Sequence, residues 1–186
     1  MAGNTAEPWD NAVFVAFVDR AFEYFLEAGA TDLVIDLRQS PGGDNSFSDA
    51  MLAWIADEPF EFDIPFAQPR EDRRFTGRAY ALINRHSYSN AVNVAAMIQD
   101  YGLGVVAGEK TADMATTYGA METFRLPATG IEVGFPKAHI IRPSGETRPD
   151  GVTPDWPMPS PIVAGAEDTV LEALLARIRQ GGYRVE

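Results

Sequence analysis

Residues 78–91 read Arg78-Ala-Tyr-Ala-Leu-Ile-Asn-Arg-His-Ser-Tyr-Ser-Asn-Ala91. The run Arg78–Asn84 is mostly apolar and too short for a helix, which predicts a buried strand. From Ser89 onward Val92, Ala95, Ala96 and Ile98 recur at helical spacing, and Gly102 follows Tyr101 as a stop. The stretch is therefore strand, polar turn, helix. An earlier stretch repeats that order. Leu33-Val-Ile-Asp-Leu37 predicts a strand buried on both faces, Gln39-Ser-Pro-Gly-Gly-Asp-Asn45 a turn, and residues 46–56 a helix with Phe47, Met51, Trp54 and Ile55 inward. Further out, residues 9–28 predict an amphipathic helix on Phe14, Val18, Ala21 and Phe25, and Phe14, Phe17, Phe22 and Phe25 together are expected in the core. Residues 57–77 lack periodicity and read as a loop or crossover. Val105-Val106 begins a short strand. Residues 117–126 and 131–141 predict two longer strands joined by the turn Pro127-Ala-Thr-Gly130. Residues 143–161 are proline-rich and irregular, and residues 167–180 predict a closing helix. Helices alternating with apolar strands imply an α/β layered fold with a largely parallel sheet, followed by a β-hairpin and a last helix. No repeat or linker divides residues 1–186, which read as one domain.

The bulk composition narrows the partners. The chain has 186 residues, 46% hydrophobic, with 27 acidic against 15 basic side chains and a net charge of −12. Nucleic-acid binding needs basic surface to displace phosphate counterions, so no nucleic-acid partner is expected. The same charge disfavours an anionic membrane surface. No apolar run reaches transmembrane length, and the first residues lack the basic start and apolar core of a signal peptide. With no cysteine, disulfides, thiol nucleophiles and cysteine-bound metals are excluded. The only two histidines, His86 and His139, are far apart and form no zinc-binding pattern, so neither metal nor cofactor is expected.

Two parallel strands ending side by side would bring both turns to one sheet edge, where ligands of open α/β sheets bind. A serine at a helix N-terminus sits beside backbone N–H groups that have no partner within the helix. Such groups stabilise a developing oxyanion, and a glycine turn on the neighbouring strand lets another N–H approach. Ser89 with the N–H of Asn90 or of Ser89 itself, and an N–H of Gly42 or Gly43, could therefore form a nucleophile with an oxyanion hole. The competing readings are a plain N-cap for Ser89 and a plain tight turn for Pro41-Gly42-Gly43. The Gly-x-Ser-x-Gly elbow and the phosphate-binding glycine motifs are absent.

These blocks, taken in order and spacing, resemble the C-terminal processing (tail-specific) proteases and the related tricorn core protease. The resemblance runs from about Ala30 to Pro157. It rests on Asp32-Leu-Val-Ile-Asp-Leu-Arg-Gln-Ser-Pro-Gly-Gly43, on Ala81-Leu-Ile-Asn-Arg-His-Ser-Tyr-Ser-Asn-Ala91, and on Gln99-Asp-Tyr-Gly102. It continues through Val106-Ala-Gly-Glu-Lys-Thr111, Pro143-Ser-Gly145 and Gly151-Val-Thr-Pro-Asp155. The resemblance implies a core related to the crotonase and ClpP folds. It implies Ser89, rather than Ser87, as nucleophile, and oxyanion donors at Gly42, Gly43 and Asn90. It further implies peptide or protein substrates cut near their C-termini without metal or cofactor, and an extracytoplasmic location.

The sequence departs from the family in three ways. Tail-specific proteases use a lysine twenty-five residues after the serine as general base, and Met114 stands at that spacing here. The tricorn branch uses a histidine on an earlier strand, which has no counterpart before residue 9. There is no PDZ segment, so substrate recognition by that route is not expected; the abrupt start beside a helix and the short link from residue 57 to residue 77 suggest a domain excised from a larger protein. By titration range His86 and His139 are the leading candidates for the base, while Lys110 and Lys137 would need burial to serve. Met114 also leaves open a non-catalytic relative that binds peptide tails or apolar ligands in the same cleft. A third possibility, an acyl-CoA enzyme of the crotonase type, lacks any evident basic site for the CoA phosphates.

Overall fold

The apolar run after Arg78 forms an inner strand of a parallel sheet. The computed structural model describes residues 11–59, 69–70, 73–161 and 167–181. Its elements are α1 (Ala12–Glu27), β1 (Asp32–Asp36), α2 (Asn45–Ile55), β2 (Arg78–Ile83) and α3 (Asn90–Asp100). They continue with β3 (Gly104–Gly108), β4 (Thr117–Arg125), β5 (Glu132–Ile140), β6 (Trp156–Pro157) and α4 (Thr169–Arg179). The sheet order is β1-β2-β3-β6, and each neighbouring pair is parallel.

Side-chain alternation along β2 splits the core into two layers. Ala79, Ala81 and Ile83 join one apolar cluster with Val18 and Phe22 of α1, Leu52 and Trp54 of α2, and Val92 and Ala96 of α3. Tyr80 and Leu82 join another with Val105, Ala107, Trp156 and the Val170, Leu174 and Ile178 stripe of α4. The sheet thus lies between α1–α3 on one face and α4 on the other, the α/β layering expected from the alternating pattern. β4 and β5 pair antiparallel as a separate hairpin.

Three expectations need correcting, and one block gains a role. β1 is half-buried rather than fully buried, because it is an edge strand: Leu33 and Ile35 pack on one face and Val34 on the other, but only β2 flanks it among the described residues. On α1 the inward line is Phe14, Val18, Phe22 and Phe25, whereas Phe17 is 59% exposed. Each helical residue turns about 100°, so Phe17 falls beside that stripe, not on it. Residues 143–161 are not wholly irregular, since Trp156 and Pro157 add the fourth strand. The Asp-Leu-Arg block is a clamp: the Arg38 guanidinium forks onto Asp36 and, at 2.6 Å, onto Asp168, the residue capping α4. Arg38 hydrogen bonds hold the Asp168 carboxyl down at about 2. Most of the 57–77 stretch lies outside the described residues, and no described helix is long and apolar enough to cross a membrane.

Asp49 on α2 weakens the fold at neutral pH. Burial, reinforced by the Asp44 charge, pushes its carboxyl from 3.8 up to about 6. A carboxyl raised in the folded state favours folding while it stays protonated. Its contribution is therefore complete below pH 3.8 and lost as pH rises through about 6. At about 1.4 kcal/mol per unit the ceiling is about 3 kcal/mol. Partial solvent contact reduces this to about 1–2 kcal/mol. Asp49→Asn is expected to raise Tm at pH 7.5 by about 3–6 °C and to have little effect at pH 4, as read by thermal unfolding at both values.

Candidate active site

β1 and β2 run parallel in register, so the turns that follow them open at the same sheet edge. Hydrogen bonds stitch the turns together. The buried Ser87 hydroxyl donates to the Leu37 carbonyl at 2.9 Å and accepts from the Asn84 N–H. The Tyr88 N–H donates to the Ser40 carbonyl at 3.1 Å. The Asn90 side-chain amide donates to the Asp44 carbonyl and to Ser48 Oγ, tying the start of α3 to that of α2. Ser87 is thus occupied in holding the turn, whereas Ser89 is exposed.

Ser89 has the backbone angles φ 52°, ψ −123°. These are the angles of the first central residue in a type II′ turn, a position that favours glycine. The Ala91 N–H closes that turn onto the Tyr88 carbonyl at 3.1 Å. A side chain held there stores about 1–3 kcal/mol of strain. Ser89 occupies the N-cap position of α3, yet its side chain makes no capping bond. The plain N-cap reading therefore does not describe it. The geometry is a strained strand-to-helix elbow, reached without the flanking glycines that usually mark one in sequence.

Gly42 explains the glycine turn. With φ at +85°, its α-carbon packs so closely on the elbow that a Cβ there would lie 2.6 Å from Ser89 Cβ and 2.8 Å from the Asn90 nitrogen. Its own N–H has only a long 3.4 Å contact to Ser40 Oγ. Among the described residues, the N–H groups of Gly43 and Asn90 have no acceptor. The Ser89 N–H, by contrast, is taken: it donates to Asp113 Oδ2 at 2.6 Å. Of the two N–H groups considered as oxyanion donors on the Ser89 turn, that of Asn90 is the one left open.

Asp113 is the residue that sequence reasoning missed. It precedes Met114, and its other oxygen accepts the Met114 N–H at 2.9 Å. Met114 bridges to Gly151. Its place directly before the position of the family lysine was the one available signal. The two histidines are not bonded to Ser89 among the described residues. His86 is exposed in the turn after β2, where its backbone N–H donates to Asn84 Oδ1. His139 lies on the hairpin, stacked on Tyr118 at 4.6 Å. Lys110 and Lys137 are on the surface, paired with Asp150 and Glu122.

Two cavities flank the glycine turn, with Ser40 in the wall of both. One, about 600 Å³, is polar and lined by Asp36, Arg38, Asn84 and Asp168. The other, about 480 Å³, is lined by Phe14, Ile35, Leu37, Phe47, Met51 and Val94, with Gly42, Gly43 and Asn90 at its side.

Comparisons with known proteins agree with this architecture. The protein superposes on the photosystem II D1 C-terminal processing protease with a TM-score of 0.64 at 20% identity, over 89% of this chain and 44% of that one. It superposes on mature CPAF with a TM-score of 0.72 at 14% identity, over 100% and 50% of the chains. A lipoprotein from Streptococcus agalactiae gives 0.64 at 15% identity, over 94% and 63%. The chain therefore spans about half the length of the solved proteins whose fold it shares. No curated protein matches it in sequence. The pattern of peptidase family S41 matches residues 14–158, which include both turns, the elbow and Asp113. The chain belongs to peptidase family S41.

Proposed function

We infer that this chain is the catalytic core of a serine peptidase of the tail-specific kind, with Ser89 as nucleophile. The Ser89 hydroxyl attacks the scissile carbonyl, and the Asn90 N–H together with an N–H of Gly42 or Gly43 receives the oxyanion. Collapse of the tetrahedral intermediate expels the amine and leaves a Ser89 ester, which water hydrolyses. Each oxyanion donor contributes about 10²–10³ in rate.

The observation that carries this reading is the elbow: a serine at φ 52° whose hydroxyl does not cap its helix, with Gly42 packed against it. Strain of that kind clusters at functional sites. The apolar cavity beside Gly43 and Asn90 supports a preference for a substrate with an apolar side chain next to the scissile bond. Membership of a peptidase family favours turnover over the alternative of binding alone.

Treatment with a fluorophosphonate probe, followed by intact-mass analysis, tests the reading. Wild type is expected to gain one adduct and Ser89→Ala none. An unmodified wild type, or an adduct that persists in Ser89→Ala, would remove Ser89 as nucleophile.

A further inference from the structure

We propose that Asp113 is the general base for Ser89, in place of the lysine that Met114 replaces; this rests on Ser89 being the nucleophile. Among the described residues Asp113 is the one titratable side chain bonded to Ser89, through its Oδ2 at 2.6 Å from the Ser89 nitrogen. In a serine, a staggered χ1 near ±60° brings Oγ beside its own nitrogen. The carboxylate on the Ser89 N–H then has Oγ as its neighbour and can take its proton directly or through one bridging water. It has capacity to do so: an ionised carboxylate offers about four acceptor positions, and the backbone takes two, Ser89 N–H on Oδ2 and Met114 N–H on Oδ1.

The loop that carries Asp113 is held in place. The Thr111 hydroxyl donates to the Asp113 carbonyl at 2.7 Å and accepts the Val152 N–H at 2.9 Å. The Ala115 N–H donates to the Asp150 carbonyl at 2.9 Å. The charged groups on the surrounding segments neutralise one another: Arg85 pairs with Glu109, Lys110 with Asp150, and Arg148 with Glu146. On the elbow side His86 and Tyr88 are exposed, as is Asp44 on the glycine turn. Asp113 has no cationic partner among the described residues, so no ion pair competes for the proton it would accept.

The steps balance. Asp113 takes the Ser89 Oγ proton as the Oγ–carbon bond forms. It returns that proton to the amide nitrogen as the carbon–nitrogen bond breaks. It then takes a proton from the attacking water and gives it back to Ser89 Oγ when the ester bond breaks. No other reactant is required.

The second-order rate of fluorophosphonate labelling, measured from pH 3.5 to 9, tests this role. Asp113→Asn keeps an oxygen to accept the Ser89 N–H but cannot take a proton. It is expected to slow labelling about 10²-fold or more and to abolish the acid limb of the wild-type profile, while Asp113→Glu retains part of the rate. The exposed double variant His86→Ala/His139→Ala is expected to keep the wild-type rate and acid limb, and it decides the question even if Asp113 variants fold poorly. Wild-type labelling in Asp113→Asn, or loss of the acid limb in the histidine double variant, would overturn the assignment and leave Ser89 standing. No labelling of wild type would remove the nucleophile and the base together.

Discussion

Gly42→Ala is expected to lower both Ser89 labelling and peptide cleavage by about 10³-fold or more while leaving the fold intact. The added methyl meets Ser89 Cβ at 2.6 Å and, at 2.8 Å each, the Asn90 nitrogen and the Tyr88 carbonyl oxygen. Two of these three contacts are backbone, so no side-chain rotation relieves them. The elbow must move. A displacement of about 1 Å in a reacting group can cost about 10² in rate, and disturbing an oxyanion donor costs about 10²–10³ more. The left-handed φ of +85° adds strain for alanine, and the stability loss is expected at about 1–3 kcal/mol. Gly43→Ala is the control. Its φ of +145° is also unfavourable for alanine, but a Cβ there meets nothing within 4 Å. It should retain most of the labelling rate. Equal losses in the two variants would mean that the turn's backbone, through its strain or the Gly43 N–H, is what matters, and not the packing of Gly42 on Ser89.

Trp156→Ala is expected to give the largest loss of stability, about 3–5 kcal/mol, and to lower Tm by about 10 °C. Trp156 is 2% exposed at the sheet's second edge. Its ring packs on Tyr80 with centroids 5.7 Å apart, and the Arg177 guanidinium lies 4.0 Å above it. Truncation opens a cavity between the sheet and α4 and removes that cation–π contact. Because Trp156 packs in the α4 layer of the core and α3, which the elbow opens, packs in the other, Ser89 labelling below the new Tm should be nearly unchanged. A Tm shift of less than about 3 °C would show that α4 is held mainly by the Arg38 fork onto Asp168.

The legible parts of the fold were those whose cause is local. Short, nearly continuous apolar runs at 33–37 and 79–83 announced strands, and helical spacing after Ser89 announced α3. The two β–turn–α units by themselves imply that the glycine turn and the serine share one sheet edge. β6 was not legible. It has two residues between prolines, and it exists because β3 offers an open edge and Asp155 takes the Val106 N–H at 2.8 Å. The block Gln99-Asp100 likewise has its reason at a distance: Arg142 forks onto Asp100 at 2.6 Å and reaches Gln99, fastening the end of the hairpin to α3.

At the site the same division holds. Local chemistry in the sequence determined that a serine would open a helix beside a glycine turn, and that no thiol could take its place. Only the tertiary structure decided that Ser89 is strained and does not cap its helix, that Gly42 touches it, and that a carboxylate twenty-four residues later lies on its N–H. The physical reason is that strand order and loop closure bring residues 42, 89 and 113 together, and spacing along one chain carries no record of which turns will meet.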